Sequence, residues 1–295
     1  MAPAQMATVV ADFLADLTRT GKSSNTVRAY RSDLSDFAQF YPGPIQEITA
    51  DLLRRYLRGL GDKAPATRAR REAALGSVLA WAYRAEMITA DPMTRLDRTH
   101  LSIPPPRPVP TGQIQAVLQV IPKTKDRDRL LFGLLYTTGI RVGEALAIEV
   151  DDLDLSIDDE HVTVLGKGGR RRTVLLDDST LVALLRRYLK TRGYRHGPLF
   201  RAEKNYTGGP LRYASVHELW AKYCASAQVT DTIHQLRHTH ATELVNAGVS
   251  LETIRRRLGH ANAQTVLRYA DQRDATADAE IRTWRRRRIT ERTNQ

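Results

Sequence analysis

Between Thr99 and Thr111 the chain reads THLSIPPPRPVPT, with prolines at 104, 105, 106, 108 and 110. Each proline fixes φ and removes a backbone donor, so this stretch can be neither helix interior nor central strand and takes an extended, semi-rigid path. No single core can run through it. A chain of 295 residues divided there yields two pieces, each long enough to bury a core without disulfides. The reading is a helical domain over 1–97, a linker over 98–110, a second domain over 111–273 and a basic tail over 274–295. Proline runs also serve as recognition ligands, but one between two helical segments reads as a spacer.

In the first piece, apolar residues recur at helical spacing. Val9, Val10, Phe13, Leu14 and Leu17 predict a helix over 5–18, ended by Gly21. Ser24 or Asn25 can cap a second, with Val27, Tyr30, Leu34, Phe37 and Phe40 or Tyr41 buried and Pro42 and Pro44 stopping it. Thr49 can cap a third, with Leu52, Leu53, Tyr56, Leu57 and Leu60 inward and Gly59 and Gly61 at its end. A fourth, over 66–87, turns Leu75, Val78, Leu79, Ala82 and Tyr83 inward and begins with Arg68, Arg70 and Arg71. Those arginines are either an ordinary solvated face or a contact for phosphates, since cations at a helix start oppose its dipole.

In the second piece, Thr111 can cap a helix burying Ile114, Val117, Leu118 and Ile121, and a nearly all-apolar helix follows through Leu130, Leu131, Leu134 and Leu135. Gly139 ends it, Val142 to Ala147 start the next, and Arg141 sits at the turn between. HVTVL (161–165) and RTVLL (172–176) alternate like strands, so they and GKGGR between them predict a β-hairpin with Lys167 in its connection. Helices are expected over 179–192 and 214–227. Three short ones should follow: the first starting just after Leu236 and ending at Gly248, the second capped by Ser250 and ending at Gly259, the third capped by Asn262 and carrying Tyr269. The fold class is mainly α with a small β-hairpin.

The net charge of +12 favours a polyanionic partner, and DNA or RNA over an anionic membrane because no long basic amphipathic helix stands apart. Cys224 is the only cysteine, which excludes an intrachain disulfide, and its neighbours suggest a buried, inert thiol. The start MAPAQMATVVADFLADL lacks a basic n-region and breaks its apolar run with Asp12 and Asp16, arguing against a signal peptide. With no uninterrupted apolar span either, the expectation is a soluble cytoplasmic protein without membrane contact.

The residues 234–269 concentrate His234, Arg237, His238, His240, His260, Arg268 and Tyr269. Such a cluster builds a poor apolar core and a good phosphate site. Attack on a phosphodiester adds negative charge to the non-bridging oxygens, which fixed donors must meet. Arg141 and Arg237 can make forked bonds to them, His234 and His260 can each give or take a proton, and Lys167 can protonate a leaving oxygen. Tyr269 would be the nucleophile, its phenol ionised more easily among cations. Glu144, one turn after Arg141, can orient that guanidinium or a nearby histidine, or be a plain surface carboxylate. Zinc is the rival account of His234 and His238, but no His-Glu-x-x-His pattern or cysteine pair accompanies them, so neither metal nor cofactor is expected. His238 and His240, taken singly, read as structural.

In order along the chain, SSNTVRAYRSDL, TGIRVGEAL, LGKGGRRRTVLL, HQLRHTHAT, LGH and a tyrosine nine positions after His260 resemble the tyrosine recombinase family, or phage integrases, and within it the Xer-like two-domain members. The resemblance implies an all-α core-binding, SAM-like domain and a mixed α+β catalytic domain. It makes Arg141, Lys167, His234, Arg237 and His260 the activating set and Tyr269 the nucleophile, with Arg68, Arg70, Arg71, Arg170, Arg171 and Arg172 as further candidates for DNA. It also implies a 3′-phosphotyrosyl link, a Holliday junction, a clamp around duplex DNA carrying specific sites, and a homo-tetramer on two sites. Gln235 stands where an acidic residue is common, His240 where an aromatic is common and Leu176 where proline often follows. In this family a terminal helix often docks into a neighbouring subunit, which Ile281 and Trp284 could anchor, with Arg285 to Arg288 on DNA. A type IB topoisomerase-like nicking-closing enzyme shares the same residues, and a catalytically inactive architectural DNA-binding protein shares the same charge.

Overall fold

The computed structural model describes residues 4–97, 109–202 and 208–259, leaving aside the side chain of Lys167. The chain divides into two compact units, Met1–Ile103 and Pro104–Gln295. Among the described residues no helix is long and apolar enough to cross a membrane.

Among its described residues the first unit holds four α-helices, α1 (Met6–Arg19), α2 (Ser24–Phe40), α3 (Ala50–Gly59) and α4 (Pro65–Arg84). Met6, Val9, Phe13, Leu34, Phe37, Leu53, Tyr56, Leu75, Val78 and Leu79 form its core. Ser23, not Ser24 or Asn25, caps α2: its backbone is extended and its hydroxyl accepts from Thr26 N. Thr49 caps α3 by accepting from Leu52 N. Helix α4 stops at Arg84 rather than Met87, because Glu86 takes a left-handed φ of 57°. Tyr83, expected inside, lies on the flank of the buried stripe and is half exposed.

The second unit contains α5 (Thr111–Val120), α6 (Asp126–Thr138), α7 (Val142–Leu146), β1 (Leu153–Asp154), β2 (His161–Leu165), β3 (Arg171–Leu175), α8 (Ser179–Thr191), α9 (Tyr213–Ser226), α10 (Ile233–Asn246) and α11 (Leu251–Leu258). Helix α6 is central: Leu130, Leu131, Leu134 and Leu135 are buried, and Phe132 packs against Trp220 at 5.1 Å and Tyr223 at 5.9 Å between centroids. The strands form one antiparallel sheet in the order β1-β2-β3, with Val162 opposite Val174 and Val164 opposite Arg172. Alternation buries Val162, Val164 and Val174 on one face. The two-residue β1, in an acidic stretch, carries too short a pattern to announce itself.

Three local expectations change here. Pro110, not Thr111, precedes α5, and the Thr111 hydroxyl donates to Glu243 at 2.6 Å, tying α5 to α10. Strand β3 starts at Arg171 because Gly166 N–H closes the hairpin on Arg170 O at 2.7 Å. Helix α10 begins at Ile233, a turn earlier than expected, because Thr232 and Gln235 form a reciprocal capping box. Gln235 at that family position therefore has a local use. The earlier start puts His234, Arg237 and His238 on one rigid helix.

Candidate active site

The site is organised on a buried carboxylate. Gly139, at φ 64°, ends α6 in the left-handed conformation, and extended Arg141 then caps α7. Glu144 accepts from Arg141 N at 2.9 Å and from Arg141 Nη1 at 2.8 Å. From β3, Arg172 forks onto the same carboxylate with Nη2 at 2.8 Å and Nη1 at 3.1 Å. Glu144 is only 5% exposed, so it is no surface carboxylate. Burial alone would raise its pKa, but the bonds from Arg172 and from the Arg141 N–H outweigh that and hold it at about 2. Arg141, 39% exposed, keeps solvent access on its other side.

Arg172 is also where two motif glycines arrive. Its Nε donates to Arg257 O at 3.0 Å. A methyl added at Gly166 would lie 3.4 Å from Arg172 Nη1 and 3.2 Å from Arg170 O. One added at Gly259, itself at φ 65°, would lie 2.9 Å from the Arg172 Cζ. Only glycine allows so close an approach with a left-handed φ. Both glycines therefore stand beside the Arg172–Glu144–Arg141 hub, and in the sequence Gly166 precedes Lys167 and Gly259 precedes His260.

From α10, Arg237 is 8% exposed and donates to Gly139 O at 2.6 Å and Leu258 O at 2.8 Å, joining the ends of α6 and α11. His234, one turn earlier, has Nε2 3.4 Å from the Tyr213 hydroxyl. Its pKa is lowered by burial first, then by His217, Arg237 and Arg141, which therefore all act on one imidazole. His238 is shifted down by burial first, then by Arg237 and His234. His240 is buried; its Nε2 accepts from Arg257 Nε at 3.2 Å, and burial, then Arg257, pushes it down to about 4. It is a neutral packing group. No group of three or more metal-binding side chains occurs among the described residues.

The side chain of Lys167, His260, Arg268, Tyr269, the helix expected from Asn262, the prolines before Val109 and the tail with Ile281, Trp284 and Arg285 to Arg288 lie outside the described residues. Of the arginines expected to face DNA, Arg170 is exposed, Arg171 pairs with Asp152, and Arg172 turns inward onto Glu144. Arg70 donates to buried Asp33 at 2.6 Å and Arg71 to Asp36, while Arg68 Nε is buried without a hydrogen-bond partner. The sequence carried a signal for Arg172: two residues before Val174, it falls on the buried face of β3. Arg257 and Tyr213 gave none, because each acts through a long-range contact.

This combination of a helical unit and a helix-rich unit with a three-stranded sheet is that of a recognised class. Residues 109–276 match the phage integrase family, and residues 10–86 match the phage integrase N-terminal SAM-like domain. The chain belongs to the phage integrase family, and as a tyrosine recombinase it breaks and rejoins DNA. It is 31% identical to a tyrosine recombinase XerC of Herpetosiphon aurantiacus over 271 residues, covering 87% of this chain and 88% of the relative. It is also 31% identical to XerC of Listeria innocua, over 84% of this chain and 87% of that one. Two solved structures share the fold. XerH recombinase bound to palindromic difH in a post-cleavage complex has a TM-score of 0.71 at 21% identity, over 88% of this chain and 80% of that one. A lambda integrase tetramer on a Holliday junction has a TM-score of 0.75 at 17% identity, over 93% and 79%.

Proposed function

We propose that Tyr269 attacks the scissile phosphorus of duplex DNA within the site organised by Arg141, His234 and Arg237. A 3′-phosphotyrosyl bond forms as the bond to the 5′ oxygen breaks, and Lys167 gives that oxygen its proton. Arg141, Arg237, His234 and His260 take up the charge that accumulates on the non-bridging oxygens. Glu144 orients Arg141. The 5′-hydroxyl of a partner strand then attacks the phosphotyrosine, restoring the phenol and conserving one phosphodiester for each one cut, so that no ATP is required. Two such rounds, through a Holliday junction, exchange both strand pairs between specific sites held by four copies of the chain.

The observation that carries this reading is that Arg237, one turn after His234 on α10, donates at 2.6 Å to Gly139 O, two residues before Arg141 at the α6–α7 turn. Gly166 and Gly259, the residues before Lys167 and His260 in the sequence, support it by standing against Arg172. In this reading 1–97 grips the DNA, 98–110 links, 111–273 cuts, and 274–295 docks on a neighbouring copy, all in the cytoplasm.

Incubating the protein with duplexes carrying the flanks of its own gene should give a covalent adduct and strand-exchanged product. Adduct without exchange would favour a nicking-closing enzyme, and tight binding with neither product an architectural protein. Tyr269→Phe should bind but form no adduct; an adduct in that variant overturns the assignment of the nucleophile.

A further inference from the structure

His234 does not stand alone on its helix. Tyr213, the first residue of α9, is 47% exposed, yet its ring packs on His217 one turn later at 4.5 Å between centroids, and its hydroxyl reaches His234 Nε2 at 3.4 Å. His217 in turn meets His234 edge-on at 6.2 Å. A tyrosine left this exposed beside an imidazole is not there to fill a core.

We propose that Tyr213 is a positioning residue for His234: its hydroxyl donates to Nε2, which fixes the rotation of the imidazole and leaves the ring proton on Nδ1. This rests on His234 belonging to the phosphate site above. The direction follows from chemistry. A phenol is the stronger donor of the two, the bare imidazole nitrogen is the stronger acceptor, and the bond at one ring nitrogen decides which nitrogen keeps the proton.

The surroundings make that choice matter. Among the described residues, the groups facing His234 are Tyr213 and His217 from α9, Arg237 and His238 from its own helix, and Arg141 from the turn before α7. None is a carboxylate. Burial first, then His217 and the two guanidiniums it would face, disfavour a protonated His234 and lower its pKa. In the neutral ring the tautomer determines which atom of His234 offers a proton and which offers a lone pair.

Imidazole-nitrogen NMR of the histidine-labelled full chain tests this, with His234 assigned by the signal lost in His234→Gln. The wild type should show one neutral tautomer, protonated on Nδ1. Tyr213→Phe, which keeps the ring and its packing, should give averaged tautomer shifts. It should also slow adduct formation on the gene-flank duplex by about fivefold with unchanged DNA affinity. His217→Phe should raise the pH at which His234 takes up its proton without mixing the tautomers. An Nε2–H tautomer in the wild type overturns the proposal, as do shifts that Tyr213→Phe leaves untouched. Weakened DNA binding in Tyr213→Phe with an unaltered tautomer would make Tyr213 a DNA contact instead. Should the wild type form no adduct at all, the functional reading fails while the spectra still decide the role of Tyr213.

Discussion

The two units use arginine to different ends. In the helical unit Arg70 and Arg71 on α4 meet Asp33 and Asp36 on α2, one acid for each base, and the result is a stitch between helices. In the catalytic unit Arg141 and Arg172 share the single carboxylate of Glu144, so the hub keeps a surplus positive charge. Composition alone cannot separate these uses, because both units are arginine-rich. The ratio of acid to base at each cluster separates them, and that ratio exists only after folding.

The largest test of the contrast removes the shared acid. Glu144→Ala leaves two guanidiniums crowded together and should cost the catalytic unit about 3–5 kcal/mol, read as a lower denaturant midpoint, with loss of DNA cleavage. Asp36→Ala, beside a more exposed pair, should cost about 1 kcal/mol or less. Equal losses would erase the distinction.

Acid should separate the units next. His240 is held at about 4, below its ordinary 6.5, so the unfolded chain takes up the proton first. Its contribution is complete above pH 6.5 and is lost as pH falls toward 4, on the order of 3 kcal/mol. Glu144, held at about 2, extends the loss below pH 4.5. Residues 4–97 contain no histidine, and Asp33, raised chiefly by burial, shifts stability the opposite way. Thermal melts at pH 7 and pH 5 should therefore show the catalytic unit weakening and the helical unit holding; parallel shifts would contradict the sign.

Gly259→Ala places a methyl against Arg172 at a left-handed residue, whereas Gly168→Ala, at φ 77°, has open space around it. Both carry a backbone cost of about 1–2 kcal/mol, and only Gly259→Ala should add a loss of cleavage. If Gly168→Ala impairs cleavage as much, close approach to Arg172 is not what the glycine provides. The smallest effect concerns DNA. Arg70→Gln, its charge already met by Asp33, should leave the salt dependence of binding nearly unchanged, while exposed Arg170→Gln should reduce the slope by about 0.9. A full-sized change for Arg70 would return it to the DNA face.

Much of this was legible in the chain. Helical periodicity marked α1 to α4 and α6, Gly139 and Gly259 marked helix ends, and the ordered motifs carried the family. What the sequence concealed was mostly long-range. Glu144 looked like either an orienting group or a surface acid until Arg172, 28 residues away, was seen to close over it. Arg172 itself was grouped with Arg170 and Arg171 as a basic run, although strand alternation sets it apart from both. The start of α10 is hidden in the sequence because its cap is a pair, Thr232 and Gln235, whose reciprocal bonds exist only at the folded helix end.

The bond from Arg172 to the carbonyl of Arg257 spans 85 residues, so Arg172 gains this last partner only after α11 has been synthesised. A nascent chain that has made the arginine turn, the hairpin and α9 still lacks the element that locks Arg172 in place.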